Sequence, residues 1–101
     1  MIVVRNVFQL KYGKAKEAIP VMKEALQIQK RVLTGVDFSA RVLTDLTGPF
    51  YVLVLEITAP NLSTFEAETG RLFADKEMQA NMAKMAPLVE SGYRDVYSIV
   101  E

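Results

Sequence analysis

The chain has 101 residues, 50% of them hydrophobic, no cysteine, no histidine, and 12 basic side chains balanced by 12 acidic ones. This length suits a single domain over residues 1–101, and the zero net charge argues against a nucleic-acid partner, because binding to phosphates usually requires a basic excess. Without cysteine or histidine the chain lacks thiolate nucleophiles and the commonest metal ligands, so we expect no metal site and no Ser-His or Cys-His catalysis.

The first two predicted elements are a strand over residues 2–10 and a helix over residues 14–33. The strand is rich in Val, Ile and Phe, and its even-numbered positions form a strongly apolar face. Asn6 interrupts that apolar row with an amide. In the helix, apolar residues recur at helical spacing, Pro20 predicts a kink or a later start, and Gly35 favours the end.

A hairpin is predicted next, with strands over residues 36–46 and 50–58. The residues Leu46-Thr47-Gly48-Pro49 between them are typical of a tight reversal. So short a connection can join only antiparallel neighbours, because parallel strands need a long crossover.

Residues Asn61-Leu62-Ser63 are predicted to open the second helical region, and Ser63 can form a capping box with Glu66. Asp75 resembles a second N-cap, so the region is either two helices or one helix with a break. Residues 91–92, Ser-Gly, then end the helical region, and residues 93–100 form the last strand.

This order of elements, β-α-β-β-α-β, predicts an α+β, ferredoxin-like fold. Right-handed crossovers place the helices on one face of a four-stranded antiparallel sheet, with the first and third strands at its centre. The bare face is predicted to carry Val3, Arg5, Val7, Leu43, Val52, Val54, Glu56 and Val96. Such a face is too apolar for water and too charged for a core, so we expect a homodimer that packs two such faces together.

Charged side chains on the bare face give the predicted contacts of the homodimer. The candidate dimer-face residues are Arg5, Arg41, Val54 and Glu56. We expect Arg5 to pair with Glu56, and Arg41 to pair with Asp37 or Asp45. Arg94 is interpreted in the same way, as part of an interface pair, although the three arginines could instead gather an anion.

Three segments of the chain resemble a known family. They are Lys11-x-Gly13 after the first strand, the run from Ala86 to Gly92, and Tyr93-Arg94-Asp95-Val96-Tyr97 in the last strand. They are similar to the dimeric α+β barrel superfamily, with the nearest likeness to NIPSNAP-like proteins, over nearly the whole chain. The resemblance implies a dimeric barrel with a pocket between sheet and helices. The superfamily includes cofactor-free monooxygenases, lactone isomerases, and haem enzymes that use a histidine ligand this chain lacks.

The predicted pocket residues are Asn6, Tyr51, Tyr97 and Met82, and no catalytic residue is identified. A buried amide such as Asn6 needs hydrogen-bond partners, which can be backbone, water or a ligand. The tyrosines either pack in the core or take the place of the polar residues that the monooxygenase members use. Met82 either packs in the core or forms a flexible part of the pocket wall.

Three functions remain open from the sequence. The first is a homodimer that binds a small apolar or aromatic molecule without a cofactor. The second is a cofactor-independent monooxygenase or isomerase, and the third is a structural or regulatory dimer without a ligand. The longest uncharged apolar run, residues 50–55, is far below the ~20 residues of a membrane span, and no targeting segment is recognised. We therefore expect a cytoplasmic location and no membrane partner, which the lack of cysteine also favours.

Overall fold

A computed structural model describes residues 1–100. The elements are β1 (Ile2–Leu10), α1 (Ala15–Val32), β2 (Ser39–Thr44), β3 (Val52–Ala59), α2 (Leu62–Phe73), α3 (Lys76–Met85), a 3₁₀ turn (Ala86–Leu88) and β4 (Val89–Ser98). The strands form one antiparallel sheet in the order β2-β3-β1-β4. This confirms the predicted ferredoxin-like α+β fold and the central positions of the first and third strands.

The strand register assigns each side chain to one of two faces, because directly paired residues of an antiparallel sheet point the same way. Val4 pairs with Ile57 and Val96, and Val4 is fully buried against the helices. We call this side the helix face. Arg5 pairs with Glu56 and Asp95 on the other side, which we call the open face. The prediction that Val96 lies on the open face is therefore wrong, because the register pairs it with Val4.

The core lies between the helix face and the helices and continues among the helices themselves, where Ile28, Leu72 and Met78 pack together. One cluster is centred on Leu10, Leu53 and Met22, where β1 and β3 meet α1. Another contains Val4 and Ile57 and extends to Phe65 on α2. Burying side chains of this size contributes roughly 1.5–3 kcal/mol each, so the apolar alternation of β1 and β3 attaches the helices to this side.

The second helical region consists of two helices, which confirms the first of the two predicted alternatives and not the single broken helix. Asp75 caps α3, since its carboxylate accepts a hydrogen bond from the Met78 backbone N at 3.0 Å. The cap of α2 is Asn61, whose Oδ1 accepts from the Thr64 backbone N at 2.8 Å. The predicted capping box at Ser63 is wrong, because Ser63 already lies inside the first turn of α2.

The last strand begins four residues earlier than predicted, at Val89. Gly92 therefore lies within β4 rather than ending a helix. A Cβ at that position would be 3.1 Å from the Val7 carbonyl oxygen and 3.3 Å from the Phe8 ring. The glycine is explained by this close approach of β4 to β1. Within residues 1–100 no helix is both long and apolar enough to cross a membrane.

Candidate functional site

A cavity of about 740 Å³ lies between the helix face and the three helices, and it opens to solvent. Most of its wall is apolar and comes from every layer around it: Phe8 on β1, Leu55 on β3, Phe65 on α2, and Met22 and Met85 on α1 and α3. Small-molecule sites usually fall within roughly 300–1,000 Å³ and combine apolar walls with a few polar groups. The cavity has this size and this character.

Asn6 and Arg94 supply the polar part of the sheet wall. They are cross-strand partners on β1 and β4, and Arg94 Nε donates a hydrogen bond to Asn6 Oδ1 at 2.6 Å. The guanidinium carbon of Arg94 also lies 5.2 Å from the centroid of the Phe65 ring, within range of a cation–π interaction. Arg94 is thus held from two sides. Its predicted place among the open-face pairs is wrong, because its pairing with Asn6 turns it toward the helices.

Two buried amides from the helices also line the cavity. Asn81 on α3 donates to the Val21 carbonyl oxygen and to Glu24 Oε1, both at 2.8 Å. Gln29 on α1 is 7% exposed, and its side chain forms no hydrogen bond with any residue of 1–100. Within residues 1–100 every side-chain nitrogen or oxygen that is completely buried has a hydrogen-bond partner. The polar atoms of the Gln29 amide have none, so they must remain in contact with solvent, and Gln29 lines the cavity.

Gln29 was not predicted as a site residue, although the sequence held a signal. It falls in the helical stripe of α1 that also contains Met22, Ala25 and Leu26, and all four line the cavity. A glutamine within an apolar stripe either finds a buried partner or faces a polar space. The sequence could not distinguish these outcomes, because the answer depends on how far α1 stands from α3.

Of the four predicted pocket residues, the structure brings Asn6 and Met82 together in this cavity. Tyr51 lines a second cavity of about 430 Å³ beside the connection between β2 and β3, where its ring is 5.0 Å from that of Tyr12. Tyr97 lies on the open face opposite Val3, and therefore lines neither cavity.

The open face carries a row of alternating charges across all four strands: Arg41, Glu56, Arg5 and Asp95 on β2, β3, β1 and β4. Glu56 is 6% exposed; it accepts from Arg41 Nε at 2.8 Å and from Arg5 Nε at 2.9 Å. These two hydrogen bonds, the stronger from Arg41, hold the pKa of the Glu56 carboxyl below its ordinary value. Within one chain Arg41 pairs with Glu56 and not with Asp37 or Asp45, and the Arg5–Glu56 pair also forms within one chain.

The candidate dimer-face residues therefore share one surface. Arg5, Arg41 and Glu56 form the charged row, and Val54 lies beside it, paired with Val7 on β1 and Leu43 on β2. In the part of the chain that the structure describes, no group of three or more acidic, histidine or cysteine side chains is placed to hold a metal ion.

No family model matches the sequence, and no curated protein matches it. Solved structures do match. An uncharacterized NIPSNAP domain protein from Burkholderia xenovorans is 20% identical with a TM-score of 0.86, over 99% of this chain and 95% of that chain. A NIPSNAP family protein from Agrobacterium tumefaciens is 20% identical with a TM-score of 0.83, over 99% of this chain and 86% of that chain.

A candidate antibiotic biosynthesis monooxygenase from Nitrosomonas europaea is 12% identical with a TM-score of 0.77, over 100% of both chains. At these identities the likeness concerns the fold, which is the one that the resemblance to the dimeric α+β barrel superfamily implies. The chain thus has the ferredoxin-like α+β fold of NIPSNAP domain proteins, which antibiotic-biosynthesis-monooxygenase structures also match.

Proposed function

We propose that this chain is a homodimeric protein that binds a small apolar or aromatic molecule between its sheet and its helices. The observation that carries the proposal is the cavity of about 740 Å³, whose largely apolar wall includes the hydrogen-bonded Asn6–Arg94 pair. Apolar surface supplies the affinity in such sites and a few polar groups set the orientation. Met78, Met82 and Met85 add flexible side chains that can adjust to the shape of a ligand.

The cavity lining favours binding over catalysis. A cofactor-independent monooxygenase or isomerase must move a proton at its substrate, and histidine or a carboxylate does so more often than tyrosine. Within residues 1–100 no histidine or carboxylate lines the cavity, and Tyr93 is its one phenol. The likeness to a candidate antibiotic biosynthesis monooxygenase keeps that activity as an alternative outcome, which oxygen uptake with an electron-rich phenol would reveal.

Ligand binding is tested by filling the cavity. Ala25 lies in the cavity wall on α1, so Ala25→Phe should occupy part of the space and weaken the binding of naphthalene-based quinones, phenols and esters at least about 10-fold. Ala83→Phe on the exposed side of α3 is the matched control and should bind as the wild type does. Binding is measured by isothermal titration and thermal shift, with circular dichroism as the check of folding.

Two results would contradict the binding proposal. One is the absence of any thermal shift across the set of quinones, phenols and esters, which favours a structural or regulatory dimer. The other is equal affinity in the Ala25→Phe and Ala83→Phe proteins, which places the ligand outside this cavity.

The homodimer is supported by the open face. In the row Arg41–Glu56–Arg5–Asp95 the charges alternate from one edge of the sheet to the other. A two-fold axis that runs parallel to the strands, between β3 and β1, reverses this row, so Arg5 would face the partner's Glu56 and Arg41 the partner's Asp95. Apolar side chains on both sides of the row would be buried by the same contact.

Dimerisation is tested at Val54, beside the charged row. Val54→Asp adds a carboxylate that a facing copy would have to bury, so the dimer should weaken on the order of 100-fold. Ala83→Asp introduces the same charge on the exposed side of α3 and should leave the dimer intact. Light scattering at micromolar concentration measures both. A wild-type chain that is folded and monomeric would overturn the dimer and leave the cavity proposal standing.

A further inference from the structure

Arg94 differs from the other arginines of the described chain in what it binds. The other four each lie within 4 Å of a carboxylate. They are Arg5, Arg31, Arg41 and Arg71. Arg94 pairs instead with the neutral amide of Asn6, and no acidic side chain within residues 1–100 forms a salt bridge with it. Its positive charge is therefore not compensated by a carboxylate of residues 1–100.

The geometry leaves one side of this guanidinium available. Nε is taken by Asn6 Oδ1 at 2.6 Å, while neither terminal nitrogen forms a hydrogen bond within the described chain. The Phe65 ring supports the group from α2. Two terminal N–H groups in one plane match the two oxygens of a carboxylate, which they bind as a bidentate pair. Arg94 is exposed, and its contacts with Asn6 and Phe65 reduce the side-chain entropy that remains to be lost on binding.

The rest of the cavity limits the charge that a ligand can carry. Arg94 is the one charged side chain that lines it within residues 1–100, and it is exposed, so the charged end of a ligand lies at the mouth of the cavity. One guanidinium balances the single negative charge of a carboxylate, whereas a phosphate monoester carries nearly two. A further charge on the body of the ligand would lie against apolar wall without a partner, at a high desolvation cost. Gln29 adds a hydrogen-bonding group without a charge, which suits a hydroxyl or carbonyl oxygen on the body of the ligand.

We infer that the ligand is an apolar or aromatic monocarboxylic acid, whose carboxylate binds the terminal nitrogens of Arg94 while its hydrocarbon body fills the space beneath α1, α2 and α3. This inference rests on the proposed ligand-binding function of the same cavity. It assigns Arg94 a direct role in binding, and it gives Asn6 the role of a positioning residue that orients the guanidinium.

The test compares acids with their own methyl esters, because the two differ in charge and hardly in shape. The probes are 2-naphthoic acid, dodecanoic acid and the two corresponding methyl esters, titrated at neutral pH by calorimetry. The wild-type protein should bind each acid at least about 10-fold more tightly than its ester, as expected for a charge-assisted bidentate contact. Added salt should weaken the binding of the acids more than that of the esters.

Variants locate the contact. Arg94→Gln should abolish the preference for the acids and leave the affinity for the esters, while Arg94→Lys should keep part of the preference, because the charge remains and the planar fork is lost. Arg71→Gln is the control: Arg71 pairs with Glu68 and does not line the cavity, so its preference should equal that of the wild type. Circular dichroism verifies that each variant is folded.

The outcomes separate this inference from the proposed function. If wild-type protein binds acid and ester equally, the carboxylate inference is overturned and the binding function stands. If Arg94→Gln keeps the preference for acids, the anion binds elsewhere and the role of Arg94 is overturned. If neither acids nor esters bind the wild type, the carboxylate inference fails, and if quinones and phenols also give no thermal shift, the proposed function fails with it.

Discussion

The two faces of the sheet hold their polar groups in opposite ways, although Arg5 and Asn6 are neighbours in the sequence. On the open face Glu56 lies between Arg5 and Arg41, so the charges compensate one another within the chain. On the helix face Arg94 lines a cavity, and within residues 1–100 the amide of Asn6 is its one hydrogen-bonding partner. A compensated row can be covered by another protein surface, whereas an uncompensated cation in an apolar cavity fits a ligand with the opposite charge.

The largest difference between the faces should appear when two adjacent residues of β3 are truncated. Leu53 is 0% exposed and packs with Leu10 and Ala18 beneath the helices, so Leu53→Ala should lower the free energy of unfolding by about 2–5 kcal/mol. Val54 is on the open face and only partly buried in one chain, so Val54→Ala should lower it by less than about 2 kcal/mol. Urea unfolding with circular dichroism measures both.

The same pair also reports on the dimer. If the open face is covered by a second copy, the stability of the wild type rises with protein concentration, and Val54→Ala reduces that dependence. Leu53→Ala should reduce stability at every concentration. Equal losses for Leu53→Ala and Val54→Ala at low concentration would show that the two faces are not as different as the structure indicates.

A smaller effect is expected from Glu56→Gln, which keeps the shape of the side chain and removes its charge. At neutral pH the free energy of unfolding should fall by about 1–2 kcal/mol, the lower part of the range for charged hydrogen bonds, because solvent screens the exposed Arg5 and Arg41. The folded-state pKa of Glu56 lies below its ordinary value of 4.5. Its contribution is therefore present above pH 4.5 and is lost as the pH falls through the lower, folded-state pKa.

This pH dependence is measured as the difference between wild type and Glu56→Gln in urea titrations at several pH values. The subtraction cancels the contributions of other carboxylates that are unaffected by the substitution. The two stabilities should converge as the medium becomes acidic. A difference that stays constant from neutral to acidic pH would show that the hydrogen bonds to Glu56 do not depend on its charge.

The sequence predicted the central strands of the sheet better than the edge strand β4. The bounds of β1 and the cap at Asp75 follow from local patterns, and the central position of β3 follows from the order of the elements; all three predictions are confirmed. The faces of Arg94 and Val96 do not follow from local patterns. They depend on where β4 begins and on the register shift between Gln9 and Leu10, which are settled by pairing across the sheet.

The residues of the candidate site were predictable from the sequence only where a local strand pattern was sufficient. Asn6 stood out because a single strand pattern places an amide among apolar neighbours. Its partner Arg94 is 88 residues away in sequence, and the hydrogen bond between them exists only through the β1–β4 register. Tyr97 was misplaced because its aromatic character is equally compatible with a cavity wall and with an exposed sheet face.

The smallest effect comes from the start of α2, where sequence and structure disagree. Asn61→Ala removes the side-chain oxygen that caps the helix and should lower the free energy of unfolding by about 1 kcal/mol. Ser63→Ala, at the position the sequence suggested, should change it by less than about 0.5 kcal/mol, because no hydrogen bond of its side chain is lost. Chemical denaturation of the two variants in parallel measures this contrast.

The Asn61 cap of α2 also affects the helix face without affecting the open face. Phe65 lies in the first turns of α2, is almost fully buried, and supports the guanidinium of Arg94. Fraying of that end in Asn61→Ala should therefore weaken the binding of a carboxylate ligand slightly and leave dimerisation unchanged, since α2 covers the helix face alone. A change in dimerisation without a change in binding would mean that the two faces are coupled through the sheet, and that the helix face and the open face do not act independently.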